Sequence, residues 1–199
     1  MDVFIDVSER VFNKQAKKLG LGVNVLKAVA IVESMGHGFL DYTPIKPKIL
    51  FEGHVFYRLL TKAGYDTVEI AKRYPTICFK AYTRSHYRGG NEEFIRLKTA
   101  MTIDYDIALE SASWGMFQIM GFNYALCGFK DVKTYVNSNY NGADNHFMNF
   151  CAFIKNRGLI KFLKDKDFSK FARYYNGVGY KSNKYDDKMR DAYESLEAG

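Results

Sequence analysis

The stretch Val25-Leu-Lys-Ala-Val-Ala-Ile-Val-Glu-Ser34 decides how this chain folds. Seven of its first eight residues are apolar, which predicts a helix that is buried on most of its sides. Asn24 in front of the stretch is a suitable N-cap, and Gly36 and Gly38 behind it are suitable stop signals. We therefore expect the rest of the chain to pack around this helix.

The predicted helix carries a single carboxyl group, that of Glu33, at its C-terminal end. Apolar surroundings and the negative end of the helix macrodipole both disfavour the ionised form of such a group. A carboxyl group that stays protonated near neutral pH can serve as a general acid. The stretch alone fits equally well a glutamate that ends the helix in solvent, so the choice depends on the rest of the chain.

Length and composition fit one folded domain over residues 1–199. Hydrophobic residues make up 47% of the 199 residues, and only three prolines are present, which argues against a long rigid linker. No apolar run approaches the ~18–20 residues of a membrane span. The acidic start, Met1–Arg10, lacks the features of a secretory signal peptide. We expect a protein made in the cytoplasm, without stable membrane insertion, that needs another route to act elsewhere.

The three cysteines, Cys78, Cys127 and Cys151, are odd in number and far apart. This pattern matches neither a disulfide framework nor a C-x-x-C metal site. We interpret them as reduced thiols that pack as small hydrophobic side chains. The sequence indicates neither a metal nor a cofactor.

The charge balance favours anionic surroundings. The chain has 29 basic and 22 acidic residues, a formal net charge of +7, which attracts it to polyanions such as nucleic acid, anionic lipid or a bacterial cell wall. The basic residues are dispersed, apart from a cluster at Lys14, Lys17 and Lys18 and a strip at residues 158–185. Because no nucleic-acid-binding signature is present, we expect no nucleic-acid partner.

Apolar spacing predicts a mainly α fold with one small β-sheet region early in the chain. A short strand is expected at residues 48–53, and residues 65–90 are interpreted as an irregular, tyrosine-rich connection. Asn91 is a suitable N-cap for the helix that follows it. Besides the Glu33 helix, helices are predicted at residues 8–19, 54–63, 92–104, 105–111, 131–140, 143–157, 167–175 and 185–196.

Three short motifs place polar residues in apolar, helical context. They are Glu33-Ser34, Gly115-Met-Phe-Gln118 and Tyr175-Asn176-Gly177. In this order they resemble the lysozyme-like superfamily of peptidoglycan-cleaving enzymes, which includes goose-type lysozymes and soluble lytic transglycosylases. About eighty residues separate Glu33 from the Gly-x-x-Gln motif, more than in those enzymes.

Longer motifs give a closer resemblance. They are Pro47-Lys-Ile-Leu-Phe-Glu-Gly-His-Val-Phe56, Ser113-Trp-Gly-Met-Phe-Gln-Ile-Met-Gly-Phe-Asn-Tyr124 and Tyr175-Asn-Gly-Val-Gly-Tyr180. Together they are similar to the N-acetylmuramidase domain of phage endolysins, over residues 20–196. The resemblance implies a lysozyme-like α+β fold, a helical bundle around the Glu33 helix with one small sheet region.

The resemblance also implies roles for individual residues. Glu33 is expected to be the general acid that protonates the glycosidic oxygen between N-acetylmuramic acid and N-acetylglucosamine. Packing is the favoured interpretation for Trp114 and Phe117, since aromatic side chains bury large areas. The residues expected to bind substrate are Ser113, Gln118, Tyr124, Tyr175 and Asn176. For Tyr175 a hydrogen bond to the acid Glu33 is the alternative.

Glycosidases usually use a second carboxylate, and Glu52 is the best candidate for it. Glu52 lies on the predicted strand that follows the Glu33 helix, although a salt-bridged or exposed strand residue would also fit. Asp41 is a weaker candidate. The superfamily also contains enzymes with one catalytic glutamate, which form a 1,6-anhydro product. The closer resemblance favours a hydrolase, and a lytic transglycosylase is the alternative.

The expected partner is the glycan strand of peptidoglycan. Family members often carry a separate wall-binding domain before the catalytic domain. We expect no such wall-binding domain here. We expect a monomer that is attracted to the cell wall by its positive charge. Without a signal peptide, release by a phage holin into the periplasm is the expected route, and delivery as a secretion-system effector is the alternative.

Other functional classes have weaker support. The spacing of His37 and Asp41 occurs in some zinc peptidases, but the partner His-x-His and an H-E-x-x-H motif are missing. A non-catalytic wall-binding or phage structural protein on a lysozyme fold should have lost the acid, and Glu33 is present. A basic nucleic-acid binder is supported only by dispersed charge.

Overall fold

The computed structural model describes residues 6–34, 37–41 and 45–199. The described residues are mainly helical, as predicted. The α-helices in chain order are α1 Glu9–Leu19, α2 Val23–Glu33, α3 Gly53–Lys62, α4 Thr67–Arg73, α5 Gly90–Met101, α6 Tyr105–Glu110, α7 Val132–Asn139, α8 Ala143–Asn156, α9 Ile160–Lys164, α10 Phe168–Asn176 and α11 Tyr185–Ala198.

One small antiparallel sheet has the strand order β1-β2-β3. Its strands are β1 Ile49–Phe51, β2 Ala112–Trp114 and β3 Ile119–Met120. Leu50 pairs with Ser113, so the predicted strand obtains its partner from a segment about sixty residues later in the chain. The sheet is therefore held by non-local pairing.

The chain divides into two compact units. Unit 1 contains the described parts of Met1–Gly38 together with Leu126–Gly128 and Asn141–Gly199. Unit 2 contains Phe39–Ala125 and Phe129–Tyr140, again in their described parts. The sheet lies in unit 2, and the Glu33 helix lies in unit 1.

The core of unit 1 is built around α2. Leu26, Ala28 and Val29 have no exposed surface, because α11 packs along α2 and α1 contacts it as well. The ring of Phe12 from α1 packs 4.5 Å from that of Phe147 on α8. The wide apolar face of α2 is thus buried, as its sequence predicts.

The core of unit 2 contains an ion pair as well as apolar side chains. Phe51, Phe56 and Leu60 are fully buried. Arg96 Nη1 donates to Glu93 Oε2 over 2.7 Å, and the Glu93 side chain has no exposed surface. A buried charge of this kind requires a partner, and each of these residues provides one for the other.

The predicted helix caps are partly wrong. α2 begins after Gly22, and Asn24 lies inside the helix, where its Nδ2 donates to Leu196 O and Glu197 Oε1. Asn91 lies inside α5, whose N-cap is Gly89 with a positive φ of 73°. In both cases the helix starts earlier than the cap-forming side chain suggests. Gly36, a predicted stop signal, lies outside the described residues, and α2 ends before it at Glu33.

Four helices and strands were missed in the sequence, namely α4, α9, β2 and β3. α4 interrupts the segment interpreted as irregular, with Asp66 as its N-cap accepting from Val68 N and Glu69 N. The strands β2 and β3 extend the sheet beyond the single predicted strand. The three cysteines are buried free thiols, as expected. In the described ranges, no helix combines the length and apolar character needed to cross a membrane.

Candidate active site

Glu33 is the last residue of α2 and is partly buried. Asn176 Nδ2 donates to Glu33 Oε1 over 2.7 Å. Asn176 ends α10 and is followed by Gly177, whose positive φ of 80° turns the chain away from the helix. The ends of two helices of unit 1 therefore bring an amide to the carboxyl group of Glu33.

Burial raises the pKa of Glu33 to about 7, and the hydrogen bond from Asn176 opposes this rise. Burial disfavours the anion because the apolar surroundings solvate charge poorly, whereas an N–H donor stabilises it. The larger of these two effects is burial. A substantial fraction of Glu33 is consequently protonated at neutral pH, which is the state that a proton donor needs.

Tyr175, next to Asn176 in the sequence, makes aromatic packing contacts. Its ring stacks on Phe171 at 5.5 Å and 11°, and it meets Phe150 edge-on at 5.5 Å. These contacts fix the last turn of α10, and hence the backbone that carries Asn176. In the sequence Asn176 was assigned to substrate, so its hydrogen bond to Glu33 was missed.

A second tyrosine of unit 1 lies close enough to Glu33 to be affected by its charge. Burial raises the pKa of Tyr185, and the negative charge of Glu33 raises it further. Tyr185 is the first residue of α11, the helix that packs along α2. Sequence reasoning gave this residue no role, although the family resemblance extends to it.

Glu52 follows β1 and occupies the N-cap position of α3, but its side chain does not cap the helix. Its carboxylate instead accepts a hydrogen bond from Tyr87 Oη. Oε2 also lies 3.3 Å from His54 Nδ1, and the Glu52 side chain is 16% exposed. Glu52 is thus neither an exposed strand residue nor a helix cap, but part of a polar cluster in unit 2.

Gln118 and Ser113 hold the turn between β2 and β3. Ser113 Oγ donates to Gln118 Oε1 over 2.7 Å, and Gln118 Nε2 donates to Gly115 O over 2.8 Å. Gln118 has a positive φ of 47°, a backbone conformation that costs a non-glycine residue energy and often occurs at functional sites. Gln118 Nε2 also donates to Lys48 O over 3.3 Å. The residue is exposed, so it combines a structural role in the turn with access from solvent.

The remaining candidates have simpler environments. Tyr124 directly follows the 3-10 helix Gly121–Asn123 and is partly exposed. Asp41 is exposed. Trp114 and Phe117 are 2% and 5% exposed, in line with the packing interpretation.

The zinc-peptidase alternative gains no support in the ranges that the structure describes. His37 Nδ1 lies 3.4 Å from Asp6 Oδ2, and among the described residues this pair has no third ligand. Within residues 6–34, 37–41 and 45–199, no group of three His, Cys, Asp or Glu side chains could hold a metal ion.

The structure groups the predicted site residues in two sets. Glu33, Tyr175 and Asn176 adjoin one another in unit 1. Ser113 and Gln118 belong to the sheet of unit 2, and Glu52 is tied to the same sheet because its N donates to Ser111 O over 2.9 Å. Each set includes one of the two candidate carboxyl groups.

Sequence comparison supplies the identity of the family. The family model for N-acetylmuramidase matches residues 22–197, which is most of the chain. The chain belongs to the N-acetylmuramidase family. The members of this family degrade peptidoglycan, so the chain is a peptidoglycan-degrading enzyme.

A solved structure agrees with this membership. The crystal structure of the endolysin of Burkholderia phage AP3 is similar to this chain with a TM-score of 0.89 and 33% sequence identity, over 97% of this chain and 72% of that one. The lysozyme-like endolysin fold that the motifs imply is thereby confirmed. A comparison with curated proteins found no match.

Proposed function

We propose that this protein cleaves the β-1,4 glycosidic bond between N-acetylmuramic acid and N-acetylglucosamine, with Glu33 as the general acid. The observation that carries the proposal is the state of Glu33, whose pKa is raised to about 7 by burial. A carboxyl group that is half protonated near neutral pH can donate a proton to a leaving group and can be reprotonated from water.

Glu33 transfers its proton to the glycosidic oxygen as the bond to the anomeric carbon of N-acetylmuramic acid breaks. N-acetylglucosamine leaves with a free hydroxyl group, and positive charge develops on the muramic acid ring. Asn176 donates to Glu33 Oε1 and so stabilises the carboxylate that results. Its second function is to keep the acid in one orientation, because an amide hydrogen bond restricts the carboxyl torsion.

Glu52 is proposed as the second carboxylate. It accepts a proton from the water molecule that attacks the anomeric carbon, which gives a reducing N-acetylmuramic acid end. Support for this role comes from a carboxylate that does not cap its own helix and is 16% exposed. An enclosed carboxylate with a hydrogen-bond partner in the protein retains its orientation.

Substrate binding is assigned to the polar residues around these two groups. Gln118 is exposed. Its amide, which Ser113 orients, can accept from substrate hydroxyl groups and can donate to an N-acetyl group by exchanging one of its backbone partners. Tyr124 offers a partly exposed aromatic face to a sugar ring. In unit 1, Tyr175 and Asn176 are assigned to the region of the substrate next to the acid.

A lytic transglycosylase is the second candidate, and the hydrogen bond that Glu33 has within its own unit favours it. Glu33 has its own hydrogen-bond partner in unit 1, as an acid that works alone requires. In that reaction the C6 hydroxyl group of the same muramic acid attacks the anomeric carbon and gives its proton to the Glu33 carboxylate, and the product is a 1,6-anhydro end. No water is consumed.

The test of the acid is Glu33→Gln, measured on purified peptidoglycan with mass spectrometry of the released fragments. Glutamine keeps an acceptor for Asn176 but has no proton to donate, so we expect a folded protein with at least ~100-fold lower activity. Glu194→Gln, an exposed carboxyl group on α11, is the matched control with unchanged activity. Wild-type activity in Glu33→Gln would contradict the proposal. Reducing ends identify the hydrolase, and anhydro ends identify the transglycosylase.

The setting of the reaction is proposed from family and charge together. The substrate is peptidoglycan in the periplasm of a bacterium, the protein acts as a monomer without metal or cofactor, and a phage holin releases it. Support comes from the similarity to a phage endolysin and from the net charge of +7, which favours an anionic cell envelope.

A further inference from the structure

The two oxygens of the Glu52 carboxylate have different surroundings. Oε2 accepts the hydrogen bond from Tyr87 Oη and lies 3.3 Å from His54 Nδ1. Among the described residues, the hydrogen-bond and ion-pair partners of this carboxylate are all at Oε2, and the Glu52 side chain is 16% exposed. One oxygen is therefore fixed by the protein, and the other is open to a water molecule or a substrate group.

Tyr87 makes the directed contact to Glu52. His54 Nδ1 is buried and close to Oε2, but it makes no hydrogen bond to any described residue. The His54 ring is instead held edge-on by Tyr82, with centroids 5.2 Å apart and an interplanar angle of 88°. The orientation of the Glu52 carboxylate therefore depends on the hydroxyl group of Tyr87.

Tyr87 is itself held in place by a buried charge. The guanidinium carbon of Arg96 lies 5.8 Å from the centroid of the Tyr87 ring and 5.2 Å from that of Phe51. Arg96 donates to Phe51 O over 2.9 Å and to Thr76 O over 3.0 Å. A planar guanidinium group with several directed hydrogen bonds keeps one orientation, and the Tyr87 ring lies against it.

The backbone after Tyr87 is fixed by the partner of Arg96. Glu93 Oε1 accepts from Arg88 N over 2.7 Å and from Gly89 N over 3.2 Å, while its Oε2 accepts from Arg96. The chain that carries Tyr87 is otherwise an irregular loop. The buried carboxylate of Glu93 thus ties that loop to α5. The backbone that carries Tyr87 is therefore held in place next to Glu52.

Tyr87 is also a permanent donor. Burial and the hydrogen bond to Glu52 both raise the pKa of Tyr87 far above its ordinary value. The phenol therefore keeps its proton throughout the pH range of a glycosidase, and Glu52 always faces an O–H group.

We propose that Tyr87 is a positioning residue that holds Oε2 of Glu52 so that Oε1 faces the attacking water, and that Tyr87 thereby favours hydrolysis over anhydro-ring formation. The inference rests on the proposed role of Glu52 as the second carboxylate. When the Tyr87 hydroxyl group is missing, the carboxylate can rotate and water is less often activated. The C6 hydroxyl group of the substrate, which needs no ordered water, then competes better for the anomeric carbon.

The test compares Tyr87→Phe with Tyr82→Phe in the intact protein. Phenylalanine at 87 keeps the ring against Arg96 and removes only the hydroxyl group. The Tyr82 hydroxyl group contacts Arg84 Nε over 3.1 Å and not Glu52, so Tyr82→Phe is a matched control. For Tyr87→Phe we expect kcat to fall ~10–100-fold, KM to change little and the fraction of 1,6-anhydro ends to rise. Tyr82→Phe should keep wild-type values of all three.

Glu52→Gln and the double variant separate this inference from the proposed function. If Glu52→Gln keeps wild-type turnover and products, Glu52 is not the second carboxylate. If Glu52→Gln is impaired but Tyr87→Phe is not, Glu52 acts without positioning by Tyr87. If both are impaired, Tyr87→Phe should cause no further loss in the Glu52→Gln background, because both changes remove one interaction. An additional loss there, or a Tyr87→Phe protein that does not fold, assigns Tyr87 to stability and overturns the inference.

Discussion

At the scale of single residues, the protonation of Glu33 determines when the enzyme can work. Burial and Asn176 act on the pKa of Glu33 in opposite directions, with burial the stronger, so the pKa lies at about 7. The acid form is present below that pH and is lost as the pH rises through it. We therefore expect kcat to decline on the alkaline side with a midpoint near the pKa of Glu33.

Removal of the Asn176 amide should raise the pH at which kcat declines on the alkaline side. The hydrogen bond from Asn176 stabilises the Glu33 carboxylate, so Asn176→Ala leaves the proton more tightly bound. We expect the limb in the profile of kcat against pH to shift by about one pH unit, whatever happens to the maximal rate. Asn156→Ala is a matched control, since its Nδ2 donates to Leu126 O. An unchanged or lowered midpoint in Asn176→Ala would show that the amide does not act on the acid.

The sequence predicted Glu33 but not its partner. An apolar stretch that ends in one glutamate is a local signal, whereas the contact with Asn176 joins residues 143 positions apart. The same reason explains why Glu52 was proposed without Tyr87, since the tyrosine lies in a loop with no periodic pattern. The local sequence predicted Glu33 as the acid. Only the tertiary structure reveals the group that orients its carboxyl group and affects its pKa.

At the scale of elements, the buried pair Glu93–Arg96 ties α5 to β1 and to two loops. Glu93 accepts from Phe51 N over 3.1 Å, and Arg96 donates to Thr76 O. Replacement of one partner leaves the other charge buried and unpaired. For Arg96→Met we expect a loss of about 3–5 kcal/mol in the free energy of unfolding.

Urea denaturation of Arg96→Met measures this loss, and an exposed pair of the same spacing is its control. Lys72 and Glu69 are also three residues apart on one helix, with side chains 68% and 64% exposed. Glu69→Gln should change the free energy of unfolding by no more than about 0.5 kcal/mol, because water solvates both charges. Equal effects of the two substitutions would mean that the Glu93–Arg96 pair contributes no more than a surface pair.

Elements were predictable from the sequence when they carry a periodic pattern of their own. The long helices α1, α2, α8 and α11 show such a pattern, and their predicted positions agree with the structure to within a few residues. β2 and β3 have three and two residues, too few for a periodic pattern, and exist because they pair with β1. α4 had a local signal, since Asp66 stands three residues before Glu69, but the tyrosine-rich context obscured it.

At the scale of the whole molecule, membership of the family was predictable and the division into two units was not. Long motifs along residues 33–180 can be recognised in the sequence alone, so they identified the family directly. Unit 1 instead combines three segments that are separated in the chain. No change in composition marks their boundaries, because each segment contributes helices to one shared core.

The positive charge of the whole chain should act on encounter with the wall rather than on the chemical step. With a net charge of +7, long-range attraction to an anionic envelope is screened over about 10 Å at 0.1 M salt and about 3 Å at 1 M. We expect the rate on intact cell-wall sacculi to fall several-fold between these concentrations. The rate on short soluble glycan fragments should change little, because few charges remain to attract the enzyme.

The lysine cluster of α1 allows this electrostatic contribution to be tested within the protein. Lys14, Lys17 and Lys18 are exposed, and replacement of all three by glutamine lowers the net charge from +7 to +4. We expect a lower rate on sacculi at low salt, a shallower dependence on salt and an unchanged rate on soluble fragments. If the rate on sacculi does not depend on salt in either protein, recognition of the wall rests on short-range contacts with the glycan. In that case Gln118, which is exposed, and Tyr124, which is partly exposed, become the first residues to replace.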